Sequence, residues 1–233
     1  MDLLFERVSP LFEQLSELEK FADMLASSSI GQLRLAMTPA FSLRVVPLTL
    51  SEFVDAYPDV SVEVETLHAL QISNAVANNM ADLGLAFEAV AVPGVDIKTI
   101  ARTRFVCVAP QSLGITDRQL TLADLSSRPL IRLNAKSPLG HLLNTRLESA
   151  WGHSPKARII AETYHLAKRM AIQGAGLAII DGITAYSDSV DGLTVHDISD
   201  LDPVSIDIVV RAEKPVTGFK AGFVNMLKRH LSG

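Results

Sequence analysis

Ten side chains suited to holding a polar ligand fall where one segment pattern gives way to another: Thr38, Ser42, Thr66, His68, Glu88, Asn134, Ser137, Thr163, Tyr164 and Asp181. Hydroxyl and amide groups donate and accept hydrogen bonds without charge, which suits holding a small anion, most often a carboxylate. Thr38 stands before Pro39 at the end of an apolar run, a place with little structural need for threonine. Ser137 and Thr163 read equally well as helix N-caps and as ligand contacts. Tyr164 reads as a stacking surface for a ligand or a shield for a cleft. Asp181 ends the run Leu177–Ile180, where it could pair with an ammonium or guanidinium group, or cap a short helix beginning at Gly182.

Bond-breaking chemistry has little to rest on. His68 and His165 have no partners at metal-ligand spacing, and the chain carries no H-E-x-x-H, C-x-x-C, P-loop or G-x-S-x-G pattern. No cofactor and no metal are expected. The G-A-G at 174–176 follows a helical pattern rather than a strand, so it reads as a helix C-cap and tight turn, not as a dinucleotide fingerprint.

The elements that must position these residues alternate along the chain. Gln32–Thr38 is strand-like, Leu43–Tyr57 has helical spacing up to the breaker Pro58, and 60–65 places Val60, Val62 and Val64 on one face. A helix is predicted over Ala69–Met80 and a strand over Asp82–Phe87. After a crossover near Arg104–Pro110 come a short helix at Leu122–Leu125, a strand at Leu130–Leu133 and a helix opening at Ser137-Pro138. A strand at Arg158–Ala161, a helix over Thr163–Gln173 and a strand at Leu177–Ile180 follow. Val204–Arg211 is a returning strand, and Gly218–Leu231 a closing helix. Short strands separated by helices imply a largely parallel sheet. Such a sheet binds its ligand beyond the carboxyl ends of its strands, where helix N-termini offer free N–H groups.

Residues 1–28 differ. Leu4, Val8, Leu11, Leu15, Leu18, Ala22 and Leu25 recur at alternating spacings of four and three, the seam of a coiled coil, with Pro10 placing the firm start near Ser9. That seam reads as a helix pair between two chains, or as a helix packed on its own domain. Ser27-Ser28-Ser29-Ile30-Gly31 reads as a hinge.

In bulk, the chain has 233 residues, 48% of them hydrophobic and 20% charged, with a formal charge of −5. That is a folded globular composition without the basic stripe of a nucleic-acid-binding domain, so no direct grip on DNA is expected. Cys107 is the only cysteine, which excludes an intrachain disulfide and points to a reducing compartment. No secretion signal and no membrane-length apolar run are found. A cytoplasmic protein is expected.

The run L-R-L-A-M-T-P-A-F at 33–41, A-D-L-G-L-A-F at 81–87 and Q-G-A-G-L-A-I-I-D at 173–181 together resemble the effector-binding half of a LysR-type transcriptional regulator. The likeness runs from about residue 30 to the C-terminus. It implies an α/β protein of two Rossmann-like lobes joined by crossover strands, the type-2 periplasmic-binding-protein fold, preceded by a linker helix. On that frame residues 1–30 are the linker, 31–104 with 205–233 the first lobe, and 105–204 the second. The resemblance places an effector at Thr38, at Thr66 and His68, near Ser137, and at Thr163-Tyr164. The I-I-D ending resembles the opine- and amino-acid-responsive subgroup. Expected partners are a small carboxylate in the cleft, an amino acid or opine, and further copies of the chain in a homodimer or homotetramer. In the family a winged helix-turn-helix ahead of the linker contacts DNA, and this chain starts with what looks like the tail of that linker. An exported solute-binding receptor has the same fold. Thr103-Arg104-Phe105 also matches a short signature of prephenate dehydratases, though Arg104 reads better as a surface residue supporting the crossover.

Overall fold

The computed structural model describes residues 31–232, so the heptad segment lies outside the described residues. Two sheets are present. The first runs in the order β2 (Ser61–Thr66), β1 (Gln32–Met37), β3 (Leu83–Phe87), β11 (Val204–Arg211), β4 (Val95–Thr103). The second runs β6 (Gln119–Leu120), β10 (Leu193–Ile198), β5 (Phe105–Pro110), β9 (Leu177–Asp181), β7 (Leu130–Leu133), β8 (Ile159–Ala161). The chain leaves the first lobe between β4 and β5, at Arg104, and returns before β11.

Each sheet is parallel only in part. β1 pairs in parallel with β2 and β3, and β7 with β8 and β9. The strands that carry the chain between lobes run the other way: β11 is antiparallel to β3 and β4, and β5 is antiparallel to β9 and β10. Parallel pairing is therefore found in the β-α-β portions and in the short β6–β10 contact at the edge of the second sheet. β4 and β10 have no counterpart in the sequence reading. β4 alternates polar and apolar residues on a sheet edge and stays half exposed.

Helices cover both faces of the first sheet. Leu33, Leu35 and Met37 of β1 face α1 (Val45–Ala56) and α6 (Gly218–Ser232), where Phe53 meets Phe223 edge-on at 5.5 Å. Ala36 faces the other way, into a smaller cluster with Ile72 and Val76 of α2 (Ala69–Ala77). The pleat sends alternate side chains to opposite faces, and at Leu35–Met37 both faces are buried. A 3-10 turn, Pro39–Ser42, links β1 to α1. The shared face of Val60, Val62 and Val64 is only partly covered, because β2 is an edge strand and Val64 remains exposed.

In the second lobe α3 (Pro138–Trp151), α4 (Tyr164–Ile172) and the short α5 (Gly182–Ala185) each follow a strand of the sheet. Gly174, at φ 80°, and Gly176, at φ 148°, turn the chain from α4 into β9, where a side chain would strain the backbone. A Cβ at Gly176 would meet the Pro129 carbonyl oxygen at 2.4 Å.

Candidate functional site

The strand ends of the two lobes face each other, and a polar contact spans the gap there. His68, just before α2 in the first lobe, places Nε2 3.8 Å from Oε1 of Glu162 in the second. The other oxygen of Glu162 accepts a hydrogen bond from the Asn134 side-chain amide at 2.8 Å. His68 and Glu162 are each about half exposed, so their ion pair, formed when the ring is protonated, is screened by water. Two residues expected at a ligand site, His68 and Asn134, are thus brought together across the lobes through Glu162.

The helix openings around them are well defined. Ser137 caps α3, its Oγ accepting the Gly140 N–H at 3.0 Å, and Pro138 takes the first helical position. Thr163 caps α4 by accepting the Leu166 N–H at 3.2 Å. A hydroxyl that accepts a capping bond still has its proton to donate, so capping and ligand contact are compatible at both positions. Asn134 Oδ1 accepts the Lys136 N–H at 3.0 Å and shapes the loop into α3. Thr38 closes β1, its N–H bonded to the Leu85 carbonyl at 3.0 Å and its hydroxyl 3.4 Å from the same oxygen. Thr66 ends β2 exposed to solvent.

Three of the expected contact residues also have local structural partners. Asp181 is completely buried, and Oδ1 accepts the Thr184 N–H at 2.8 Å, so it caps α5 and has no open face toward an effector. Ser42 donates its hydroxyl to the Pro39 carbonyl at 2.6 Å within the 3-10 turn. Glu88 adopts φ 43° and accepts the Ser205 N–H at 2.7 Å, which secures the returning strand β11. These polar side chains meet local backbone needs before any ligand arrives.

Burial pushes the Asp181 carboxyl up to about 6, against the pull of the N–H groups at the start of α5. Tyr164 lies half-buried with its hydroxyl sealed from water; burial first, and then the charge of Asp181, push the phenol well above its usual value. Neither the Tyr164 hydroxyl nor Asp181 Oδ2 has a hydrogen-bond partner. Cys107 is buried too, its thiol pushed up to about 12 by burial, which makes it inert.

Lys168 is a feature the sequence did not disclose. It is fully buried on α4 and donates to the Ala185 carbonyl at 2.8 Å, to the Thr184 carbonyl at 3.4 Å and to Asp188. A lysine one turn after Thr163 on a helix of alternating polarity reads as a solvent-facing residue. Only the tertiary fold reveals that it secures the C-terminal carbonyls of α5.

Among the described residues no cluster of three or more His, Cys, Asp or Glu could hold a metal ion, and no helix is long and apolar enough to cross a membrane. Two α/β lobes meet here through polar side chains at capped helix openings, an arrangement suited to holding a small polar molecule. The chain belongs to the LysR substrate binding domain family, whose model matches residues 26–232, and its role is effector sensing in transcription regulation. Among its relatives is the HTH-type transcriptional regulator DgcR of Pseudoalteromonas sp, 29% identical over 198 residues that cover 84% of this chain and 68% of that protein. The fold matches the BenM effector binding domain with its effector benzoate at 16% identity and TM-score 0.74, covering 88% of this chain and 93% of that one. It also matches full-length CbnR complexed with its target DNA at 19% identity and TM-score 0.71, covering 98% and 80%.

Proposed function

We propose that the cleft between the lobes takes a small carboxylate metabolite, an amino acid or an opine-like compound. The observation that carries this reading is the His68–Glu162–Asn134 contact, which joins the lobes at the mouths of two capped helices. First-turn N–H groups have no intrahelical partner and carry the positive end of the helix dipole, so they favour a carboxylate. Thr38, Thr66, Ser137 and Thr163 supply hydroxyls around it, and Tyr164 a ring edge. The partner for an ammonium or guanidinium group is Glu162, exposed in the cleft, rather than the buried Asp181. The effector competes for His68 and Glu162, and a ligand that binds one lobe arrangement better shifts the population toward it.

The same reading extends to assembly. The outer edge of β2 ends the first sheet, and Val64 on it and Val54 on α1 stay exposed, so this helix and strand form the face of a homodimer, with a tetramer as a further step. DNA is reached through the N-terminal domain of the family, in the cytoplasm, and the cleft binds without catalysing a reaction.

The test is a thermal-shift screen against amino acids, opines and small dicarboxylates, repeated with Thr38→Ala. A ligand specific to the folded state raises the melting temperature with its occupancy. A shift present in the parent protein and absent in a folded Thr38→Ala variant supports the reading. The same shift in both proteins removes Thr38 from the site, and no shift at millimolar ligand rejects the carboxylate class.

A further inference from the structure

A cavity of about 550 Å³ lies elsewhere at the lobe junction and shares none of the ten residues above. Its walls come from both lobes: the start of α1, the crossover at 102–104 and the end of α6 on one side, and Val106, α5 and Tyr186 on the other. Four arginines reach it, Arg44, Arg102, Arg104 and Arg229. Arg229 pairs with Glu52, which also holds His230 at 3.1 Å. Among the described residues none of the other three has a carboxylate partner, and Asp197 is the acidic residue of the lining. Arg44 spends one N–H on the Tyr186 carbonyl at 3.3 Å, already a link between lobes.

This excess of positive charge stands out in a chain of net charge −5. Arg102 and Arg104 are two apart along an extended segment, which sends both to one side. The intervening Thr103 lies close to Gly182, where a Cβ would sit 2.9 Å from its Oγ1. Guanidinium groups converging without acidic partners repel one another, and an anion that accepts bidentate hydrogen bonds relieves that repulsion. Val45, Leu48, Val106, Ile183 and Leu231 add apolar surface to the wall, and Leu48 and Tyr186 leave 46% and 54% of their surface open, which is unfavourable for side chains of that size in water. The volume falls in the range of small-molecule sites.

We propose that this cavity is a second binding site, for a small organic anion with an apolar body such as an aryl or alkyl carboxylate. The carboxylate lies against Arg102 and Arg104, and the body packs on Leu48, Ile183 and Tyr186. Because the walls belong to both lobes, occupancy fixes their relative placement and couples to the inter-lobe cleft.

The probe is 4-(trifluoromethyl)phenylacetate, followed by fluorine NMR line width on the whole protein. Saturable broadening is expected, with none from the neutral 4-(trifluoromethyl)phenylacetamide. The double variant Arg102→Gln, Arg104→Gln should weaken binding about tenfold or more, since it removes both charged donors to the carboxylate. Tyr186→Ala, exposed and so harmless to folding, should weaken it as well. Thr38→Ala should leave it unchanged. Equal binding by the parent and the arginine double variant, or no binding by the parent, overturns the proposal. Binding lost in Thr38→Ala and kept in the arginine variant also overturns it, by placing the probe in the cleft, and that result supports the cleft reading.

Discussion

Gly182 donates its backbone N–H to the Arg104 carbonyl at 2.9 Å, which ties the first residue of α5 to the residue where the chain passes between lobes. The approach is close because position 182 has no side chain. A Cβ there would lie 2.9 Å from Thr103 Oγ1 and 3.4 Å from the Arg104 oxygen. Gly182→Ala is expected to destabilise the fold by about 1–3 kcal/mol, the usual range for overpacking. Removing the obstructing hydroxyl with Thr103→Ala should recover most of that loss. Urea midpoints for the two single variants and the double variant measure the coupling. Strictly additive effects would mean that the two residues do not press on each other.

Gly140 poses a sharper test, since the obstacle is backbone. A Cβ at that position would sit 2.0 Å from the Asn134 carbonyl oxygen and 2.9 Å from Ser137 Oγ. In an open helix Gly→Ala would stabilise by roughly 1 kcal/mol. Here the Asn134–Ser137 loop must move away, which breaks the cap and displaces two residues of the proposed site. Gly140→Ala should therefore lower stability by about 1–3 kcal/mol and weaken effector binding together. A higher melting temperature in the variant would show that the loop does not pack as described.

The parts of the fold legible in the sequence were those governed by local chemistry. Leu130–Leu133 and Val204–Arg211 are strands over the residues predicted, and Ser137 and Thr163 cap the predicted helices. Hydrophobic runs and capping residues act over a few positions, so one sequence suffices to read them. β4 was missed because an edge strand that is wet on one face carries polar residues, and β10 because Thr194, His196 and Asp197 interrupt its apolar pattern. The site divides the same way. The capping hydroxyls were visible, whereas the role of Asp181, the approach of His68 to Glu162 and the burial of Lys168 depend on which segments meet in space.

Lys168 offers a prediction about α5. Its ammonium is buried and serves two carbonyls at the end of that helix as well as Asp188. Lys168→Met keeps the length and apolar stem but leaves those carbonyls unserved, so a loss of about 1–3 kcal/mol is expected from unsatisfied buried acceptors. The hydrogen bond from Lys168, above all, holds the Asp188 carboxyl below its ordinary value, so the variant should let it rise. A carbon-detected NMR titration reads that carboxyl directly. An unmoved Asp188 would break the assigned pair, whatever the stability change.

Asp181 makes the stability of the second lobe depend on pH with an unusual sign. Burial raises its carboxyl from the ordinary 3.8 to about 6 in the folded protein. Between those values the folded state holds a proton that the unfolded chain has released, so stability falls as pH rises through this window. Above it the folded protein carries a buried carboxylate with Oδ2 unpartnered. The loss is complete once pH exceeds the folded value, and at neutral pH it reaches about 3 kcal/mol at most, from roughly 1.4 kcal/mol per pKa unit. Asn retains an oxygen to cap the Thr184 N–H and never ionises. Asp181→Asn should therefore match the parent near pH 4 and exceed it near pH 7.5, with a flatter dependence between. Urea unfolding at a series of pH values measures the difference. A variant less stable than the parent at pH 7.5, with the parent's slope retained, would show that the Asp181 charge is compensated and that the unpartnered oxygen is not a burden on the fold.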